Sequence, residues 1–308
     1  MKLKLIAGSA NPILAQEISK KLGVELSAAK IGHFSDGEIQ VKIIDNVRGA
    51  DCYILQPTCS PVNENIMELL IVADALKRAS AKRITAVMPY YGYARQDRKA
   101  EPRVPITSKL IANLITASGI NRILTMDLHA GQIQGFFDIP VDHLYGTPVL
   151  LKYFEELKLN NPIVVSPDAG GVERARAFAK HLNADLAIVD KRRPRPNEAA
   201  IMNIIGDVNG RNAIILDDMV DTAGTLTKVA EAIKNAGAIT VYAASSHGVL
   251  SGEALEKIKN SCLQEVVITD SIPHSGENKK IKVLSIASLL AEAIMRISND
   301  ESISALFV

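Results

Sequence analysis

Short apolar runs alternate with helix-period stretches along almost the whole chain. The runs LKLIAG, CYILQP, RITAVMPY, RILTMDLH, PIVVSPD, DLAIVD, AIILDD, TVYAASS, EVVITD and KVLSI read as strands. Between them, Ile66, Leu69, Leu70, Ala73 and Leu76 recur at three and four residues and predict a helix. Leu226, Val229, Ala230 and Ile233 predict another, with Gly237 where a C-cap glycine belongs. Leu289, Leu290, Ala293, Ile294 and Ile297 predict a last one. Strands buried on both faces read as continuous apolar runs, so an α/β class with largely parallel sheets is expected. FSDGEIQVKII breaks the rhythm: Ile39, Val41 and Ile43 alternate as in an exposed hairpin strand, with no obvious partner in a doubly wound half.

The chain has 308 residues, and at roughly 100–200 residues per domain that predicts two domains. No low-complexity linker divides them. The Pro- and Gly-bearing stretch DIPVDHLYGTP, 138–148, is the best boundary. The expected domains are 1–143 and 144–308, the last residues being free to pack back on the first domain. The halves are weakly alike, TMDLHAGQ in one and LDDMVDTAGT in the other, as an internal duplication would leave them.

Charge changes the picture by exclusion. Lys and Arg number 35 against 34 Asp and Glu, a formal +1, whereas binding dominated by nucleic-acid phosphates needs a strongly basic surface. Trp is absent and aromatics make up only 4%, too few for a stacking platform for single strands. Small anionic ligands remain open, since they need only a local cluster. Cys52, Cys59 and Cys262 are an odd set without a CxxC pair. They exclude a disulfide scaffold or a cysteine zinc cluster and are expected to be reduced and buried. The apolar stretch of MKLKLIAGSANP is too short for a signal peptide. No run approaches the roughly 18 apolar residues of a membrane span. A soluble, cytoplasmic protein is expected, with neither nucleic-acid nor membrane partners.

The most informative stretch is AIILDDMVDTAGTLTKVAEAI, 213–233. A strand runs into Asp217 and Asp218, followed by a loop of small residues and a helix beginning near Thr225. Backbone N–H groups of such a loop, the helix N-terminus and the Thr222 and Thr225 hydroxyls make a phosphate cradle. The two aspartates would repel that phosphate, and suit ribose hydroxyls or a metal at the strand's C-terminal edge. The plainer alternative is a capped helix with Asp218 and Asp221 merely solvated. SPDAGGVERARAF places Asp168 before Gly170 and Gly171. There a carboxylate can hold Mg²⁺ beside a backbone open to pyrophosphate, or the segment is an ordinary βα turn. Neither a Walker A motif nor GxGxxG is present, so any use of ATP does not run through a P-loop. His129, after a strand in MDLHAG, is a structural histidine or a ligand. KRRPRPNEA gathers Lys191, Arg192, Arg193 and Arg195 after a strand, either as a solvated basic loop or as a cationic lid for phosphoryl transfer. Phe34 offers a stacking face or a core residue.

This chain resembles class I ribose-phosphate diphosphokinases (phosphoribosyl-pyrophosphate synthetases). The resemblance rests on FSDGE at 34–38, YARQDRK at 93–99, MDLHAGQIQGFF at 126–137, SPDAGG…KRRPRPNEA at 166–199 and DD…DTAGT at 217–225. It runs down to the ESISALF terminus, with no departure at a position that carries chemistry. It implies two similar type I phosphoribosyltransferase-like domains, each a mainly parallel sheet flanked by helices. The first would bind ATP and oligomerise, and the second would bind ribose 5-phosphate. It implies transfer of the β,γ-diphosphoryl group of Mg-ATP to the C1 hydroxyl of ribose 5-phosphate, giving AMP and 5-phosphoribosyl 1-diphosphate. Lys191 and Arg193 would be the catalytic pair. Phe34, Asp36, Gly37, Glu38, Arg95, Gln96 and His129 would hold ATP. Arg193, Asp217, Asp218, Asp221, Thr222, Ala223, Gly224 and Thr225 would hold the sugar phosphate. His129 and Asp168 would contact Mg²⁺, although imidazole nitrogen matches that hard cation less well than oxygen. The hairpin and the arginine loop would meet across a subunit boundary, which implies a homo-oligomer, a hexamer by resemblance. Two rivals remain: a phosphoribosyltransferase, which usually needs only one such domain, and a non-catalytic regulatory relative, which is expected to have a damaged catalytic loop.

Overall fold

A computed structural model describes residues 2–192, 201–274 and 278–306. The chain divides into two compact units. The first runs to Tyr145 and includes Ser271–Pro273 and the residues from Ser285 on. The second comprises Gly146–Asp270 and His274–Leu284. The first division thus falls between Tyr145 and Gly146, and the residues from Ser285 on join the first unit.

The first unit is built on five parallel strands, β1 (Leu3–Ala7), β4 (Asp51–Leu55), β5 (Arg83–Met88), β6 (Arg122–Met126) and β7 (Val141–Leu144), side by side in that order. Helices α2 (Val62–Arg78) and α3 (Thr107–Ala117) share a core with this sheet through Ile66, Leu69, Val72, Ile111 and Ile115. Helix α1 (Pro12–Leu22) packs against the last helix, α8 (Ala287–Ser298), which is why the end of the chain belongs to this unit. Strands β2 (Ala29–His33) and β3 (Ile39–Ile43) form an antiparallel hairpin between α1 and β4. Its alternating residues do have a partner in their own unit, contrary to the expectation from sequence. Ala29, Ile31, Val41 and Ile43 pack half-buried on the core that contains α2.

The second unit holds seven strands in the order β10 (Ile201–Ile205), β9 (Asp185–Arg192), β8 (Pro162–Ser166), β11 (Asn212–Val220), β12 (Thr240–Gly248), β13 (Glu265–Thr269) and β14 (Ile281–Leu284). All neighbours are parallel except β9 and β10. Helices α4 (Thr147–Leu157) and α5 (Val172–His181) share one core cluster with the sheet, while α6 (Gly224–Asn235) and α7 (Ala254–Asn260) share another. The α/β class with mainly parallel, helix-flanked sheets is thus as expected, and each of the ten runs read as strands overlaps one. Gly237 has φ +96°, and its N–H meets the Lys234 carbonyl just past α6. The stretch read as a boundary contains β7, and β11 continues through Asp217 and Asp218 to Val220 rather than ending on them.

Candidate active site

In the second sheet the strand order reverses between β8 and β11: β8 leads through α5 to β9 on one side, and β11 leads through α6 to β12 on the other. Ligands of open α/β sheets bind at the carboxyl ends of strands at such a reversal. Both second-unit loops singled out from the sequence emerge there. The pairing of Ile163–Val165 with Ala213–Ile215 sets them side by side.

The loop after β11 is short, Asp221–Ala223. Ala223 is the N-cap of α6 and sits in the left-handed region, φ +57°, where a side chain is strained. No side chain caps α6, so its first N–H groups point outward as donors that a capped helix would already have used. Thr222 and Thr225 are exposed beside them, and Gly224 is half-buried. Asp221 accepts a hydrogen bond from the Ser251 hydroxyl, while Ser251 N–H donates to the Asp221 carbonyl at 3.1 Å. The capped-helix alternative is not what the chain adopts.

Asp217 and Asp218 stand one turn of chain before this loop. Asp218 is buried and Asp217 is half-buried, its side chain 38% exposed. Asp218 N–H donates to Asp217 Oδ1 at 2.9 Å. Loss of water pushes the Asp217 carboxyl up to about 8, and the hydrogen bond and charge of Asp218 push the same way. The Asp218 N–H and Arg174 oppose that shift. Arg174 Nη1 lies 3.9 Å from Asp217 Oδ1 and 3.5 Å from Asp218 Oδ1. The sequence reading missed Arg174; its one signal was a cation in the first turn of the helix that follows the Asp168 loop.

After β8, Ser166 Oγ donates to the Asp168 carbonyl at 2.7 Å, and Gly171 N–H donates to Asp168 Oδ1 at 3.0 Å. These bonds fold the loop so that Asp168 is exposed at the start of α5. Lys191 belongs to β9, of which only the backbone is described at that position, and Arg193 and Arg195 lie outside the described residues.

The nucleotide candidates all belong to the first unit. Phe34 closes the β2–β3 hairpin: its N–H meets the Glu38 carbonyl at 2.8 Å and its carbonyl accepts Gly37 N–H at 3.0 Å. Its ring is 50% exposed, so the core-residue alternative fails. Asp36 Oδ1 accepts Glu38 N–H at 3.1 Å. Arg95 and Gln96 are exposed on the loop after β5, where Gln96 N–H meets the Tyr93 carbonyl and its own carbonyl accepts Ser108 N–H. His129 is exposed after β6. Its loop is anchored by Asp127 N–H on the Leu144 carbonyl and by Leu128 N–H on His143 Nε2, both 2.9 Å. Cys52 and Cys59 are buried, with burial pushing each thiol up to about 11, whereas Cys262 is exposed, against expectation.

Among the described residues no three His, Cys, Asp or Glu side chains cluster as a metal cage. Mg²⁺ does not need one, because it is commonly held by one or two carboxylates together with substrate phosphates and waters. The exposed Asp168 carboxylate suits that role, and His129 suits it less well by donor chemistry.

Residues 3–119 match the family model for the N-terminal domain of ribose phosphate pyrophosphokinase, and residues 192–308 match that for the phosphoribosyl synthetase-associated domain. A ribose-phosphate pyrophosphokinase of Caldanaerobacter subterraneus subsp. tengcongensis is 59% identical over 308 residues, covering 99% of this chain and 98% of the relative. One from Helicobacter pylori is 58% identical over 304 residues, covering 99% and 96%. The crystal structure of phosphoribosylpyrophosphate synthetase from Mycobacterium smegmatis superposes with a TM-score of 0.93 at 41% identity, covering 97% of this chain and 100% of that one.

Proposed function

The chain belongs to the ribose-phosphate pyrophosphokinase family, and from that premise we propose which residues bind each substrate and how the transfer proceeds. It is an enzyme that transfers the β,γ-diphosphoryl group of ATP to the C1 hydroxyl of ribose 5-phosphate, giving 5-phosphoribosyl 1-diphosphate and AMP.

Ribose 5-phosphate binds at the strand reversal of the second unit. Its phosphate takes the N–H groups of residues 221–225 and the Thr222 and Thr225 hydroxyls, and its ring hydroxyls face Asp217 and Asp218. The observation that carries this reading is the uncapped N-terminus of α6 behind the left-handed Ala223, with two carboxylates one step before it. ATP binds through the first unit. Phe34 stacks on adenine, Asp36, Gly37 and Glu38 meet its amino edge, and Arg95, Gln96 and His129 reach its ring and phosphates. Asp168 would hold Mg²⁺, which would supply charge neutralisation on the transferring phosphates. The C1 hydroxyl oxygen forms a bond to the β-phosphorus in line, the bond from that phosphorus to the α-phosphate oxygen breaks, and AMP leaves. Catalysis is chiefly positioning and electrostatic stabilisation, with Lys191 and Arg193 supplying cations to the group in flight.

The enzyme works as a homo-oligomer, proposed as a hexamer, in the cytoplasm. Ile106, Leu110 and Leu114 form an exposed apolar stripe on and before α3 that supports burial by another copy. Among the described residues no helix is long and apolar enough to cross a membrane. The test is AMP release from Mg-ATP with and without ribose 5-phosphate. Release that depends on the sugar phosphate is expected; release that ignores it, or consumption of 5-phosphoribosyl 1-diphosphate with a free base instead, would overturn the reading.

A further inference from the structure

Arg174 is the third residue of α5, directly behind the Asp168 loop, and its side chain is only 24% exposed. Successive side chains of a strand point to opposite faces, yet one guanidinium nitrogen of Arg174 lies within ion-pair distance of both Asp217 and Asp218. Two adjacent carboxylates with little water around them repel, and a cation beside both offsets part of that repulsion. Arginine cannot be the group that gives way, since it stays charged at any working pH.

We propose that Arg174 is a positioning residue for the sugar site, offsetting the repulsion within the Asp217–Asp218 pair and holding it aimed at the hydroxyls of ribose 5-phosphate without touching the substrate. The inference rests on the reading that this pair binds the sugar. The separations of 3.5 and 3.9 Å exceed ordinary hydrogen-bond lengths, so the interaction is one of charge rather than of a shaped guanidinium fork. A different cation of similar reach therefore serves, and a neutral side chain of similar shape does not.

The experiment compares Arg174→Lys, Arg174→Gln, Asp218→Asn and the Arg174→Gln/Asp218→Asn double variant, with thermal unfolding to establish that each is folded. For Arg174→Gln, the KM for ribose 5-phosphate rises about tenfold while the KM for ATP stays within about twofold. Arg174→Lys stays within about threefold of the parent in both. The double variant loses less than the product of its two single losses, because Arg174 acts through the carboxylates. Equal rises in both KM values, failure of Lys to rescue in a folded protein, or fully multiplicative losses would overturn the proposal. An Asp218→Asn variant with unchanged KM for ribose 5-phosphate would overturn the underlying sugar-site reading instead. If Arg174→Gln does not fold, the Lys variant and the Asp218→Asn cycle built on it decide the matter.

Discussion

The ends of β1 in the first unit and of β11 in the second meet solvent in opposite ways. At the end of β1 the donors of Ser9 and Ala10 are taken by the protein itself. Ser9 N–H and Oγ donate to Glu68 at 2.7 and 2.6 Å, and Ala10 N–H donates to Gln56 Oε1 at 3.1 Å. Gln56 Nε2 donates back to Glu68 Oε1 at 2.9 Å, and Asn11 caps α1 through Leu14 N–H. Glu68 is buried, so a carboxylate of the chain occupies the donors that an incoming anion would need. At the end of β11 the helix N-terminus has no side-chain cap, the residue before it is held in a strained backbone region, and two carboxylates stand outside the cradle. The first edge has spent its donors on stability, and the second leaves them for a ligand. Similar strand–loop–helix architecture thus says little about where a phosphate binds; the state of the donors says much more.

Four variants sharpen this contrast. The largest effect is expected on catalysis at the second unit: Lys191→Ala should lower kcat by on the order of 10²–10³ with a much smaller change in the KM for ATP. Steady-state kinetics decide it, and equal rises in both KM values at unchanged kcat would remove Lys191 from the catalytic pair. Next comes the first edge. Glu68→Ala strands buried donors and should cost about 2–4 kcal/mol in urea unfolding, while a folded fraction keeps the parent KM for ribose 5-phosphate. Gly8→Ala attacks the same cluster, because a Cβ there would lie 2.1 Å from Gln56 Oε1 and 3.0 Å from Glu68 Oε1. The smallest effect is a pH trend. A carboxyl held near about 8 when folded and near about 4 when unfolded keeps its proton only in the folded state between those values, so stability falls as pH rises through that window. Asp217→Asn removes this penalty. Its Tm should gain on the parent progressively up to pH about 8 and then level; a constant difference across the range would show that Asp217 is not so shifted.

Much of this was legible before any coordinates. Each of the ten runs read as strands overlaps one, and the 217–225 stretch announced its small-residue loop by composition alone. The omissions have physical causes. Strands β2 and β10 pair antiparallel away from the central strands, and β7 is a four-residue edge strand, so none of them needs a continuous apolar run. Glu68 was invisible because a carboxylate amid MELL looks like the solvent side of an amphipathic helix. Its burial depends on donors from the loops after β1 and β4 that only the folded unit assembles. Phe34 stayed open between stacking face and core, because an aromatic residue is usually core and only the hairpin turn shows why this one is exposed. Arg174 could not be paired with Asp217 and Asp218 from a sequence that separates them by more than forty residues.

The central claim is that the open edge of the second unit binds ribose 5-phosphate and the self-satisfied edge of the first does not. Titration calorimetry with ribose 5-phosphate alone tests it most directly, on the parent, Asp217→Asn and Glu68→Gln proteins. The account predicts one site per chain in the parent, strong weakening in Asp217→Asn and parent-like binding in Glu68→Gln. Two sites per chain, or binding that survives Asp217→Asn and is lost in Glu68→Gln, would contradict it.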